Sequence, residues 1–156
     1  MRERENTMKQ RYHYTECGLD NVVLENIDVV TDHAGEETVC IPAINRLHDL
    51  IATCILRRQS RMSGQELRFL RTRAGMTQGQ LAELLHRDAQ TIARWEKGES
   101  EIDGNAETLF RLLAAEKLGI SLDADVQTVS RWSVPSAGPK EIVLFADGDD
   151  YRIRAA

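Results

Sequence analysis

The chain has 156 residues, enough for one ordinary domain or two small ones, and its 42% hydrophobic and 29% charged side chains exclude wholesale disorder and fibrous classes. The longest apolar run, residues 50–56, is far too short to cross a bilayer, and MRERENTMKQ has no apolar stretch behind its charges, so no membrane span and no secretory signal are expected and a cytoplasmic location is. The net charge of −5 is uneven: residues 1–56 carry 5 basic and 10 acidic side chains, 57–99 carry 9 and 5, and 100–156 carry 6 and 10. The middle segment is a positive island able to meet a polyanion, and the acidic flanks suit a basic partner.

In chain order, residues 1–10 read as a flexible tail, with Met8 a candidate natural start. Residues 11–60 form a first domain. YHYTE, NVVLENIDVVTD and EETVCIP alternate apolar and polar positions and predict short strands, turning at CGLDN and DHAG. Such a small antiparallel sheet needs a helix on one face. Ile44, Leu47, Ile51, Cys54 and Ile55 recur at helical spacing between residues 43 and 58 and supply one.

Residues 61–119 read as an all-helical second domain of four to five helices. Ser63, followed by Gln65 and Glu66, caps a helix whose apolar face is Leu67, Phe69 and Leu70. Thr77 caps the next, with Leu81, Ala82, Leu84 and Leu85 spaced for burial; His86 and Arg87 make a tight break; Asp88 caps a short third helix that ends at Gly98. A fourth spans about 105–117, with Ala106, Leu109, Phe110, Leu112 and Leu113 on its apolar side. In residues 120–156, SLDADVQTVSRWSVPSAGPK predicts an extended linker and EIVLFADGDDYRIRAA a hairpin turning at Asp147 and Gly148. That hairpin completes the N-terminal sheet, makes a dimer contact, or pairs with a partner's strand; the first is favoured because an exposed apolar edge is a liability. The fold class is α+β.

Helix, helix, tight turn, short helix, helix is a helix-turn-helix arrangement, whose recognition helix must enter the major groove with one outward face free. In DAQTIARWEKGESEI, Ile92 and Trp95 point inward, while Gln90 and Arg94, four apart, share the opposite side. Glutamine suits adenine and arginine suits guanine, because each pairs two groups with the base edge. Ala89 and Ala93 keep the helix slim and are in reach of a thymine methyl. Thr77, Gln78, Arg87, Thr91 and Lys97 are placed for phosphates, through side chains and helix-start amides. Trp95 is read as packing.

TQGQLAELLHRDAQTIARWEKG resembles the Xre/Cro family of bacterial and phage repressors, over residues 65–118. That resemblance implies that Thr77 and Gln78 open the second helix, Leu81 and Ala82 pack its inner face, Ile92 anchors the recognition helix, and Arg71 pairs with Glu96 to fix it. More narrowly, RWEKG together with the β-rich module and YHYTECGLDNVVLENI resembles the MqsA-type (YgiT family) antitoxins. These join an N-terminal domain to an Xre-like helix-turn-helix, dimerise, repress their own operon and bind a toxin ribonuclease. The resemblance implies an antitoxin and autorepressor: a homodimer that binds a palindromic double-stranded operator and a cognate toxin. The alternative is a stand-alone Xre-family regulator.

One departure is plain. The family's founding members hold zinc on two CxxC pairs, whereas Cys17, Cys40 and Cys54 form none, so no metal and no cofactor are expected and the cysteines read as reduced thiols. His13, Cys17, His33 and Cys40 are the only set from which a non-standard site would be drawn, and Cys54 reads as a core residue. No nucleophile motif, phosphate loop or acid cluster supports an enzyme built on His13, Cys17 and His48.

Overall fold

The computed structural model describes residues 6–133 and 141–154, an α+β chain with five strands and six helices among them. The described residues fall into two compact units, 6–51 with 141–154, and 52–133. No described helix is long and apolar enough to cross a membrane.

The first unit is built on β2 (Val22–Thr31), which pairs antiparallel with β1 (Asn6–His13) along one edge. The other edge is shared. Its far end pairs antiparallel with β3 (Glu37–Cys40), and its near end runs parallel to β4 (Ile142–Asp147), which continues antiparallel into β5 (Asp150–Arg154). Asn26 separates the two ends. Its φ is 62°, and its side-chain amide donates to the Ala146 carbonyl at 2.8 Å. Here β2 carries a bulge: Gln10 faces Ile27 and Tyr12 faces Leu24, so three steps in β2 oppose two in β1. The extra residue rephases the alternation and keeps Val22, Leu24, Ile27 and Val29 all buried.

The N-terminal strands pair antiparallel, and the C-terminal hairpin completes their sheet as favoured, through a parallel pairing that makes the whole sheet mixed. Two expectations are corrected here. The first strand begins at Asn6, inside the stretch read as a tail, because its backbone pairs with β2 from Thr31 back toward Val23; residues 1–5 of that tail lie outside the described residues. The hairpin turns at Gly148 and Asp149, one residue later than expected, with Gly148 at φ 61° and Asp147 still paired to Asp150.

Helix α1 (Ile44–Arg57) contributes residues 44–51 to this unit. Leu47 and Ile51 are fully buried, whereas Ile44, expected in the apolar stripe, is exposed. The hydroxyl of Tyr14 lies 2.9 Å from His48 Nε2, and that of Tyr151 donates to the Pro42 carbonyl at 2.6 Å. Burial pushes both phenols up to about 12.

The second unit holds the end of α1, α2 (Gly64–Arg73), α3 (Gln78–Leu85), α4 (Ala89–Glu96), α5 (Gly104–Leu118) and α6 (Val126–Trp132). Ile55, Leu56, Leu67, Leu70, Leu81, Ile92, Phe110 and Val129 form its core. Helix α6 stands where an extended linker was expected. Asp125 caps it by accepting the Thr128 amide at 2.8 Å, and Val129 and Trp132 pack inward; residues 134–140 of that linker lie outside the described residues.

Helix α5 buries a different side from the one its leucines suggest. Ala106, Phe110, Ala114 and Ala115 go inward together with Glu107 and Arg111, while Leu109 is exposed and Leu112 and Leu113 are half-buried. The reason is the end of α1, whose last carbonyls have no partner within the helix. The Arg111 guanidinium donates to the carbonyls of Ile55, Leu56, Arg58 and Ser60 at 2.9–3.1 Å and to Glu107 at 3.3 Å. It also lies 5.5 Å from the Trp132 ring centre. Glu107 in turn accepts the Met62 amide, and burial holds its carboxyl above the usual range.

Candidate nucleic-acid interface

The interface is assembled from caps. Thr77 opens α3 with a reciprocal box: its hydroxyl accepts the Gln80 amide at 3.1 Å, and Gln80 Oε1 accepts the Thr77 amide at 2.9 Å. His86 ends α3 in the left-handed conformation, φ 56° and ψ 43°, and the Arg87 amide returns to the Ala82 carbonyl at 2.9 Å. Asp88 then starts α4, accepting the Thr91 amide at 2.7 Å and its hydroxyl at 3.0 Å. Those hydrogen bonds hold the Asp88 carboxyl below the usual carboxylate range. The turn is therefore fixed from both sides.

Within α4, Ile92, Trp95 and Glu96 are buried. Glu96 is gripped by Arg71: Nε donates to Oε1 and Oε2 at 3.0 and 3.2 Å, and Nη2 donates to Oε1 at 2.7 Å. Arg71 Nη1 also donates to the Met76 carbonyl at 2.8 Å. A two-pronged arginine fixes both distance and rotation of its partner, so this pair sets the azimuth of α4.

The opposite side of α4 is open. Ala89, Gln90 and Arg94 are exposed and Ala93 is half-buried. Among the described residues, the side chains of Gln90 and Arg94 make no hydrogen bond or ion pair, whereas Arg57, Arg58, Arg61, Arg71 and Arg87 each have a carboxylate partner. The residues considered for phosphates are more varied. Thr77 and Lys97 are exposed, at the start of α3 and the end of α4. Thr91 is half-buried and tied to Asp88; the Gln78 amide donates to Glu96 Oε2 at 3.2 Å; and Arg87 pairs with Asp103 at 2.6 Å, both partners part-exposed. Gln78 thus joins the Arg71–Glu96 lock.

The residues considered for a metal are not brought together. His13 Nε2 sits 2.6 Å from the Asp20 carbonyl, the Cys17 thiol is half-buried beside the Tyr14 carbonyl, and Cys40 is exposed on β3. Among the described residues no three ligating side chains meet as a metal site would require. Burial pushes the Cys54 thiol up to about 11, as fits a half-buried packing residue.

Residues 64–117, about a third of the chain, match a family model described as a helix-turn-helix domain. Neither the curated proteins nor the solved structures gave a match to the chain. The segment is a helix-turn-helix domain of the kind carried by DNA-binding regulators.

Glu66, expected beside the Ser63 cap, completes it, and it also receives both Arg58 amino groups at 2.6–2.7 Å with no exposure of its own, a pairing the sequence did not suggest. Two further participants were not foreseen. Gln80 closes the Thr77 box. Gly64 sits where the first turn of α2 meets the end of α4. Gln80 was available from the pattern Thr-x-x-Gln at a helix start; the glycine carries no such signal.

Proposed function

We propose that the protein is a sequence-specific, double-stranded-DNA-binding transcriptional regulator that acts as a homodimer on a palindromic operator. The observation that carries this reading is the division of α4 into a locked face, Ile92, Trp95 and Glu96, and an open face bearing unengaged Gln90 and Arg94. Gln90 reads adenine and Arg94 reads guanine, with Ala89 and Ala93 against thymine methyls; each bidentate pair discriminates by ~1–3 kcal/mol. Thr77, Gln78, Thr91, Lys97 and Arg87 line the phosphate contacts, with Arg87 exchanging Asp103 for the backbone. Two recognition helices lie about 34–36 Å apart to reach successive major grooves.

The finer assignment is an antitoxin that represses its own operon and neutralises a toxin ribonuclease. Its support is the resemblance of RWEKG and the β-rich first unit to MqsA-type antitoxins. A stand-alone regulator is the second reading, favoured by the missing CxxC pairs, since the family's zinc-bearing partner surface is not reproduced in these residues.

Selection of duplexes from a randomised pool, followed by binding titrations from low to high salt, tests the DNA assignment. The expected result is a palindromic consensus and a log-linear fall of affinity with salt. Failure to enrich any sequence overturns it. Co-expression with the product of the adjacent gene separates the two finer readings: a stable complex that silences a ribonuclease supports the antitoxin, and no complex supports the stand-alone regulator.

A further inference from the structure

Gly64 is the first residue of α2, directly after the Ser63 cap. A Cβ built there would overlap the carbonyl oxygen of Trp95 and lie 3.0 Å from that of Glu96. The described glycines are not alike in this respect. Gly75 and Gly98 face open space, and a Cβ at Gly79 would meet only Thr77 Oγ1 at 3.9 Å. The close approach brings the electronegative end of α4 onto the electropositive start of α2, an arrangement their dipoles favour.

Neither side of this contact can give way easily. The first turn of α2 is held by the Ser63–Glu66 box, whose two bonds are 2.9 and 3.1 Å, and Glu66 is pinned by Arg58 at 2.6 Å. The end of α4 is held by Arg71 on Glu96 and by the Lys97 amide on the Ala93 carbonyl at 3.1 Å. An added methyl group forces these two helix ends apart, and Arg94 is the residue immediately before Trp95.

We propose that Gly64 is a specificity-positioning residue: its missing side chain sets the seating depth of the recognition helix and so the placement of Arg94 against a base edge. The inference rests on base reading by α4. It requires that Gly64→Ala move α4 without dismantling the unit, and that the loss fall on sequence discrimination rather than on phosphate attraction.

The test compares the full chain with Gly64→Ala in two arms. Without DNA, amide chemical shifts and hydrogen exchange are mapped; the expected changes concentrate at residues 93–99, with the sheet of the first unit unaltered. With DNA, affinity is measured for a selected duplex and a scrambled one. The expected result is a loss of about 10-fold or more on the selected duplex and a change within about 2-fold on the scrambled one. Unchanged α4 amides, or equal losses on both duplexes, overturn the proposal. If the wild-type chain discriminates no sequence, base reading fails while the DNA-free arm still decides whether Gly64 seats α4. If Gly64→Ala does not fold, the arms are repeated with Gly79→Ala added, which raises helix propensity at an uncrowded site. Failure of that chain to fold assigns Gly64 to stability alone and also overturns the proposal.

Discussion

Glu96→Ala removes the carboxylate that holds α4 in place, and its cost follows from what it leaves behind. The glutamate side chain is 3% exposed and the Arg71 side chain 12%, so the arginine cannot turn to water once its partner is gone. Two of its donor nitrogens, Nε and Nη2, would lose the three bonds they make to Glu96, and only Nη1 would keep an acceptor, the Met76 carbonyl. Gln78 would lose its bond as well. Stranding a buried charge in this way costs about 3–5 kcal/mol. For a unit of this size each kcal/mol lowers Tm by roughly 4–8 °C, so a fall of at least about 12 °C is expected. Thermal unfolding followed by the fluorescence of buried Trp95 reads it, in a Trp132→Phe background. The paired change Arg71→Met with Glu96→Leu removes both charges and is expected to recover most of the loss. A cost for Glu96→Ala below ~1 kcal/mol, the range of solvent-exposed pairs, would mean that Arg71 is not stranded by the loss of Glu96.

Arg111→Met removes the guanidinium that donates to four carbonyls at and just beyond the end of α1 and strands Glu107; chemical denaturation should register a loss of about 3–5 kcal/mol. Ala43 has φ 49°, a conformation glycine adopts without the Cβ penalty, so Ala43→Gly should raise stability by about 0.5–1 kcal/mol, read in the same assay. Asp88 is a carboxylate whose pKa is depressed by the Thr91 amide and hydroxyl. Its contribution is full above the unfolded value of about 3.9 and is lost as pH falls through the lower folded value. Asp88→Asn keeps a capping oxygen but has no charge to lose, so the acid limb of Trp95-detected unfolding should flatten while stability near neutrality changes little. A variant with an unchanged acid limb would show that the cap does not titrate with folding.

The helical unit was legible because its signals are local. Ser63, Thr77 and Asp88 are all cap residues and occupy N-cap positions in the structure, and the three-apart spacing of Ile92 and Trp95 turned both inward. The first unit was less so. That Ile142–Phe145 pairs with Val22–Glu25 rests on contacts across more than a hundred residues, and no local pattern encodes a parallel register. Helix α5 misled for a different reason. Leucine spacing favours one face, but the carbonyls of Ile55 and Leu56 at the end of α1, and of Arg58 and Ser60 just beyond it, draw Arg111 inward and turn the helix with it. Helix α6 was obscured by its proline-containing continuation, although Asp125 is a cap and Val129 and Trp132 are three apart. On α4, the division of faces was readable from the sequence, whereas the Gln78 bond to Glu96 and the Gly64 contact depend on residues that meet only in the folded unit.

Whether the open face of α4 reads DNA sequence is decided by Arg94→Ala on a selected duplex and on a scrambled one, because Arg94 makes no hydrogen bond or ion pair among the described residues and its loss should leave the fold alone. Both protomers lose their bidentate pair, about 2 kcal/mol or more in all, so a weakening of about 30-fold or more is expected on the selected duplex, with relaxed preference at one base pair per half-site and little change on the scrambled duplex. Equal affinity of the variant and the wild-type chain for the selected duplex would contradict base reading by α4.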